Sequence, residues 1–318
     1  MTIIGIDVSK KTFDAALLLP DGAVWRRKFQ NKLSGFCEVL AWAQEKAPGS
    51  ITLAMEATGS YGQGLALFAF EAGWQVHVIN PARIKAYAVA IGQKNKTDRA
   101  DAGTIAQFTA RTPGLIPWVP LSQSQQELRA LVRERIHVQD LLQAEQTRAQ
   151  TLPGCVQAEA RKRIQLLEGQ RKALLLRIRK LIKGEAILVR ASELVSSIPG
   201  IGFWTAAVLL AELPPITRTT KTRQIASLFG LCPSYAQSGT SVCKRLARGG
   251  RRLLSHQLYM PALVAIRRNP LIKAFAERLR TKGKAAKKVI AAVIHRLLRI
   301  AVGVLKTGQL FNPNWRSA

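Results

Sequence analysis

Thr2-Ile3-Ile4-Gly5-Ile6-Asp7-Val8 decides how the first third of the chain folds. The run is short, apolar and β-branched, which is the pattern of a strand buried on both faces. Its one charged residue is Asp7. A carboxylate inside an apolar strand costs free energy unless it is paired or bound to a cation. The run therefore predicts a buried strand whose one carboxylate needs a partner or a cation. Outward from it, Phe13 to Leu19 reads as a second strand closed by the turn Pro20-Asp21-Gly22, and Val24 to Phe29 as a third. Leu33 to Lys46 reads as a helix, Ile51 to Met55 as a buried strand, and Tyr61 to Ala72 as a helix stopped by Gly73. Gln75 to Ile79 reads as a strand closed by Asn80-Pro81, and Ala100 to Thr109 as a helix. The proline-rich stretch from Pro113 to Pro120 reads as a linker. The sum is an α/β layer.

The acids of this layer are few and placed with a pattern. Glu56 follows the strand Ile51 to Met55. Asp98 and Asp101 stand three apart in Lys96-Thr97-Asp98-Arg99-Ala100-Asp101-Ala102, on one face of the expected helix. One carboxylate on a first strand, one at a later strand end and two on a helix face suit a Mg²⁺ site. Hard oxygen ligands match that cation, and clustered like charges need one to coexist. Such a site activates a nucleophile and stabilises the leaving oxygen at a phosphodiester. Taken singly, Asp7 also reads as a polar strand-end residue and Asp101 as part of a solvated helix face. Asp14 and Asp21 read as turn and surface residues.

Charge gives the second division. The 318 residues suggest about two domains. Lys and Arg number 48 against 19 Asp and Glu, a formal net charge of +29. Residues 1–111 hold 13 basic and 9 acidic residues, residues 112–212 hold 14 and 9, and residues 213–318 hold 21 and 1. Glu277 is the single acid of the last segment. A chain this basic is expected on a polyanion, most often nucleic acid, which argues against an enzyme of small metabolites alone. The asymmetry suggests carboxylate chemistry in front and polyanion grip behind.

Several classes fall away. The N-terminus carries no basic segment ahead of its apolar run, so no secretory signal is expected. No uninterrupted apolar stretch is long enough to span a bilayer; Val289 to Leu305 contains His295, Arg296 and Arg299 and reads as an amphipathic helix. Cys37, Cys155, Cys232 and Cys243 form no paired spacing, and His77, His137, His256 and His295 no ligand spacing. A reducing, cytoplasmic compartment with free, buried thiols is expected. The six tryptophans (Trp25, Trp42, Trp74, Trp118, Trp204, Trp315) could stack bases, but core packing is their commoner use.

Gln123 to about Gln150 and about Gln157 to Ile182 carry leucine stripes of helical period and are joined at Pro153-Gly154. They read as an antiparallel helical hairpin or coiled coil, packing either within the chain or across a dimer. From Glu193 onward the chain reads as helical with loops. Ser197-Ile198-Pro199-Gly200-Ile201-Gly202 before Thr205 to Leu213 resembles a helix-hairpin-helix turn, which offers backbone N–H groups to phosphates; the same pattern also serves as an ordinary helix connection. Gln237-Ser238-Gly239-Thr240-Ser241 precedes Lys244, Arg245, Arg248, Arg251 and Arg252. A small hydroxyl loop flanked by cations suits attack on a phosphodiester, or merely a phosphate-binding shoulder.

In order, Ile4-Gly5-Ile6-Asp7, Met55-Glu56-Ala57-Thr58-Gly59, Val78-Ile79-Asn80-Pro81 and Asn95-Lys96-Thr97-Asp98 with Asp101-Ala102 resemble the DEDD transposases. So do Ser197 to Gly202, Ser238-Gly239 with Ser241, Leu258-Tyr259-Met260-Pro261-Ala262, and the tail with Gly283-Lys284, Lys287-Lys288 and Gly303 to Gly308. These are bacterial recombinases of insertion-sequence family one-ten, with its eleven-eleven branch, related to the Piv DNA invertase. The resemblance implies a RuvC-like, RNase-H-like α/β domain over residues 1–120, a coiled-coil hairpin over 121–190, and a mainly α, basic transposase domain over 191–318. It implies Mg²⁺ on Asp7, Glu56, Asp98 and Asp101, and Ser238 as the nucleophile of a covalent serine–DNA link. It further implies target and donor DNA, a noncoding bridge RNA as guide, a homodimer with a tetramer in the active complex, and a bacterial cytoplasm with nucleoid association. Lys244, Arg245, Arg248, Arg251, Arg252, Lys284, Lys287 and Lys288 are the expected nucleic-acid contacts. Gln237 stands where one branch carries an acid, so the base that would activate Ser238 is left open. Two other readings compete: a metal-only junction-resolving nuclease that uses water, and a non-enzymatic nucleic-acid-binding protein.

Overall fold

A computed structural model of the chain describes residues 2–57, 59, 61–93, 98–216, 222–231, 234–238, 241–245 and 252–313. It divides into two units, residues 1–120 and residues 121–318.

The first unit is a five-stranded sheet of β1 (Thr2–Val8), β2 (Thr12–Leu18), β3 (Val24–Gln30), β4 (Ile51–Glu56) and β5 (Gln75–Ile79), in the order β3-β2-β1-β4-β5. The β1-β2 and β2-β3 pairs are antiparallel; β1-β4 and β4-β5 are parallel. The helices are α1 (Leu33–Lys46), α2 (Gln63–Glu71), α3 (Pro81–Ala90) and α4 (Asp98–Arg111). Alternation along the strands sorts the side chains. Ile4, Ile6, Phe13, Leu17, Leu53 and Met55 fill one face, where Val39 and Trp42 of α1 and Leu65 and Ala69 of α2 complete the core. The opposite face carries Ala54 and Ile79 against Ile84 of α3 and Ile105 and Phe108 of α4. β3 is one edge of the sheet, and Arg26, Arg27 and Lys28 on it blunt edge-to-edge pairing.

Asn80-Pro81 does more than close β5. Asn80 caps α3, its side chain accepting from the Ala82 N–H at 2.9 Å, and Pro81 occupies the first helical turn. The expected turn is therefore the start of a helix that the sequence pattern did not announce. Trp42 and Trp74 are core residues, whereas Trp25 is 50% exposed. Cys37 and Cys155 are exposed, against the expectation of buried thiols; Cys232 and Cys243 carry no described side chain.

The second unit is mostly helical. It opens with α5 (Gln123–Ala149) and α6 (Gln157–Gly184), close to their expected bounds and packed on each other. At 27 and 28 residues, these helices are each about 40 Å long. Leu128, Leu131, Val132 and Ile136 of α5 and Ile178 and Ile182 of α6 belong to the same core as the helices that follow. These are α7 (Ala186–Ser196), α8 (Phe203–Glu212) and α9 (Thr222–Leu228). A hairpin, β6 (Ser234–Ser238) and β7 (Ser241–Arg245), leads to α10 (Arg252–Gln257), α11 (Tyr259–Arg268), α12 (Pro270–Thr281) and α13 (Ala286–Thr307). The hairpin is a strand pair inside a segment expected to be helical with loops. No described helix is long and apolar enough to cross a membrane.

A buried ion pair ties α5 to α8. The Glu212 side chain is 1% exposed; it accepts from Arg133 Nε at 2.7 Å and Nη2 at 3.1 Å, and from Arg129 Nη2 at 3.4 Å. Replacing Glu212 by alanine leaves two guanidinia facing each other without their shared carboxylate. The expected cost is about 3 kcal/mol, since Arg133 keeps part of its solvation. Denaturant unfolding checks it: a loss below about 1 kcal/mol would show that both arginines turn to water.

Candidate active site and nucleic-acid interface

The register places two of the expected acids side by side. Ile6 pairs with Met55 across the parallel β1-β4 ladder, so the next residues, Asp7 one before the end of β1 and Glu56 at the end of β4, lie side by side on the same face. That face also carries Gly5 and Ala54, and it is the face that α4 covers. Gly5 explains how closely the helix comes. A Cβ there would lie 2.1 Å from the Ala102 carbonyl oxygen and 2.5 Å from the Ala106 nitrogen. Only a residue without a side chain lets helix backbone rest on strand backbone.

Asp101 immediately precedes Ala102, so it enters on the helix that lies over Gly5. Its Oδ1 accepts from Gln93 Nε2 at 3.5 Å, and Gln93 Oε1 in turn accepts from the Thr104 hydroxyl, which also donates to the Ala100 carbonyl at 2.9 Å. Asp98 is the first residue of α4; its side chain lies outside the described residues. The structure thus pairs Asp7 with Glu56 and sets Asp101 on the covering helix. Among the described residues, no group of three or more Asp, Glu, His or Cys is gathered closely enough to hold a metal ion. The donor set itself is all oxygen, which fits a hard divalent cation.

Asp14 is no surface residue, contrary to the sequence reading. It is the antiparallel partner of Asp7, is 6% exposed, and meets Lys28 Nζ at 3.6 Å. Asp14 pairs with Lys28 across β2-β3, so Lys28, Asp14, Asp7 and Glu56 form one row across four strands. The signal was present in the sequence: in Thr12-Phe13-Asp14-Ala15-Ala16-Leu17-Leu18, Asp14 interrupts an apolar strand as Asp7 does. Lys28 offsets one negative charge of that row.

In the second unit Ser238 is the last residue of β6 and pairs with Ser241, the first of β7. Lys244 and Arg245 lie on β7 and Arg252 opens α10; the side chains of these three and of Ser238 lie outside the described residues, as do Arg248 and Arg251 entirely. Lys284 is exposed ahead of α13, and Lys287 and Lys288 are exposed in its first turn. The turn Ser197 to Gly202 joins α7 to α8. Gly200 has φ +104°, and a Cβ on it would meet the backbone of Ala265 in α11 at 2.8–2.9 Å. This glycine therefore serves the approach of α11 as well as the turn. Beside it Pro199, Gly202, Thr205, Met260, Val264 and Arg268 help line an open cavity of about 670 Å³.

The comparisons fall in the same order along the chain. Residues 4–153 match a family described as transposase, and residues 192–277 match the family described as Transposase IS116/IS110/IS902. The pilin gene-inverting proteins of Moraxella bovis and Moraxella lacunata are each 34% identical over 318 residues, covering 98% of this chain and 98% of theirs. A solved structure of Thermus thermophilus RuvC aligns at 20% identity with a TM-score of 0.28, covering 37% of this chain and all of that one.

Proposed function

This chain belongs to the IS116/IS110/IS902 family of transposases, and from that premise we propose a two-part recombination chemistry for it. It is a DNA recombinase of the transposase and invertase kind. In our reading Asp7, Glu56, Asp98 and Asp101 hold Mg²⁺ in a RuvC-like, RNase-H-like domain over residues 1–120. The observation that carries this is the in-register pair Asp7–Glu56 on the sheet face that α4 covers through Gly5. The strand order β3-β2-β1-β4-β5 supports it, because it places the two acids on neighbouring central strands. When bound, the cation supplies charge stabilisation at the phosphodiester. Asp7 and Glu56 fix ligand oxygens on rigid strands, and Asp101, tethered through Gln93 and Thr104, contributes from the helix.

Ser238 is the proposed nucleophile. Its hydroxyl oxygen bonds to phosphorus as the strand's bridging oxygen leaves and takes up a proton, giving a serine–DNA ester that conserves the bond for rejoining. Placement at the end of β6, paired with Ser241 and ahead of Lys244 and Arg245 in the sequence, suits this role, with cations following for the charged phosphate. Residues 121–190 form the coiled-coil arm and residues 191–318 the basic transposase domain. Leu141, Leu166 and Leu176, 44%, 61% and 64% exposed on α5 and α6, support self-association of that arm into a homodimer, with a tetramer in the active complex. Target and donor DNA are the substrates. A noncoding bridge RNA as guide, and a cytoplasmic, nucleoid-associated location, complete the proposal.

Trapping of protein–DNA adducts tests it. Wild-type protein with duplex DNA and Mg²⁺ should yield a denaturation-resistant adduct, and Ser238→Ala should yield none while still binding DNA. Free 5′-phosphate ends without adduct, unchanged in Ser238→Ala, would make the protein a metal-only nuclease that uses water.

A further inference from the structure

We propose that Arg278 and Arg296, stacked on Phe275 where α12 meets α13, together with Arg299 beside Arg296, form a binding site for DNA backbone phosphate, separate from the cations that follow Ser238. The proposal rests on the DNA-recombinase reading above. Two guanidinia share one ring: Cζ of Arg278 stands 5.6 Å and Cζ of Arg296 4.7 Å from the Phe275 centroid. Such stacking fixes the planes of otherwise mobile side chains and leaves their N–H groups available. Arg299 follows Arg296 by three residues and His295 by four, so all three share a stretch of the α13 surface.

The cluster is electrostatically unbalanced. Burial, Arg278 and Arg299 together hold the Arg296 guanidinium below its ordinary range. Burial first, and Arg299 second, push the His295 imidazole down from its usual 6.5. Like charges therefore act on one another here, and no described carboxylate makes an ion pair with Arg278, Arg296 or Arg299. Glu277 is the sole acid from residue 213 onward, and it too makes no ion pair among the described residues. Contrast Glu212, which neutralises Arg129 and Arg133 in the same unit. There one buried carboxylate serves two arginines. Around Arg296 the fold brings Arg278 and Arg299 close with no ion-paired carboxylate among the described residues, and their repulsion raises the free energy of the unliganded protein. An anion with several oxygens relieves that repulsion, and DNA phosphates at successive positions match forked donors. Arg278 and Arg299 are exposed and Arg296 is partly buried, so the site opens to solvent.

The test is a salt series of binding to a short random-sequence DNA duplex, read by fluorescence anisotropy. Arg278→Gln combined with Arg299→Gln should lower the slope of log K against log salt by about two, one for each lost phosphate contact. Thermal unfolding without DNA should be unchanged or shifted upward, because repulsion is removed. Arg296 is left in place, since it is partly buried and stacks closer to Phe275 than the exposed Arg278 does. Lys273→Gln, an exposed charge elsewhere on α12, should change the slope by less than half as much. An unaltered slope in the double variant, an equal loss in Lys273→Gln, or a lowered melting temperature without DNA would overturn the site. A slope loss with single-stranded RNA but not with duplex DNA would also overturn it, in favour of an RNA contact. Failure of the wild-type protein to bind duplex DNA at all would instead bring down the recombinase reading on which it rests.

Discussion

Asp7→Asn should bind DNA as tightly as the wild-type protein, or slightly more tightly, and cut it at least about a thousandfold more slowly. The substitution keeps the shape of the side chain and removes one charge from near the end of β1. Asparagine is a poorer ligand for a hard cation than a carboxylate, and it lowers the negative charge that lets Asp7 and Glu56 share one. A thousandfold loss equals about 4 kcal/mol of transition-state stabilisation, in the range expected when a metal-assisted phosphodiester reaction loses a ligand. Glu56→Gln should behave alike, because Asp7 and Glu56 lie side by side on neighbouring strands. The two losses should not add, since either change disables the same pair. The measurement is single-turnover cleavage with DNA binding measured in parallel. Strand cleavage within about tenfold of wild type in Asp7→Asn would remove the carboxylates from the chemistry and leave a protein that only binds.

Much of this was legible because the informative residues break a pattern. Asp7 interrupts an apolar strand, and Glu56 follows an apolar run; a carboxylate is costly beside such runs without a partner, and Asp7 stands one residue before the end of β1 and Glu56 at the end of β4. The long helical hairpin was legible for the opposite reason, since its leucines repeat at helical period without interruption and its ends carry turn residues. What stayed hidden depended on partners distant in sequence. Asp14 is as anomalous in its strand as Asp7, but its proximity to Asp7 and Lys28 exists only once β2 turns back on β1 and β3 on β2. The α3 helix was hidden because Asn80-Pro81 satisfies the rules for ending a strand and for starting a helix equally well. The β6-β7 hairpin was hidden among glycine, serine and arginine residues, where neither apolar alternation nor helical period marks a strand. Nor could the sequence sort its many arginines. Arg129 and Arg133 are neutralised by Glu212 from more than seventy residues away, whereas Arg278, Arg296 and Arg299 find no such acid among the described residues, and only the packing separates the two kinds.

Gly5→Ala offers the sharper view of how the sheet makes the site. A single methyl group at Gly5 would sit 2.1 Å from the Ala102 oxygen and 2.5 Å from the Ala106 nitrogen, and both atoms belong to helix backbone that cannot rotate aside. The helix must retreat by on the order of 1 Å, and two consequences follow. Ile105 and Phe108 lose part of their contact with Ala54 and Ile79, so the first unit should be destabilised by about 2–3 kcal/mol, the usual cost of overpacking a core. Asp101 travels with the helix, away from Asp7 and Glu56, and a displacement of that size in a catalytic array costs about a hundredfold in rate. Activity should therefore fall about a hundredfold in protein that remains folded and binds DNA, well beyond what partial unfolding explains. Gly169→Ala is the matched control: the same change at a helical glycine with nothing within 4 Å should add up to about 1 kcal/mol of stability and leave cleavage alone. If Gly5→Ala cleaved DNA at the wild-type rate, close seating of α4 on β1 would not be what positions Asp101. Loss in Gly5→Ala beside full activity in Gly169→Ala ties catalysis to the distance between one helix and one strand, a distance that the absence of a side chain at residue 5 sets.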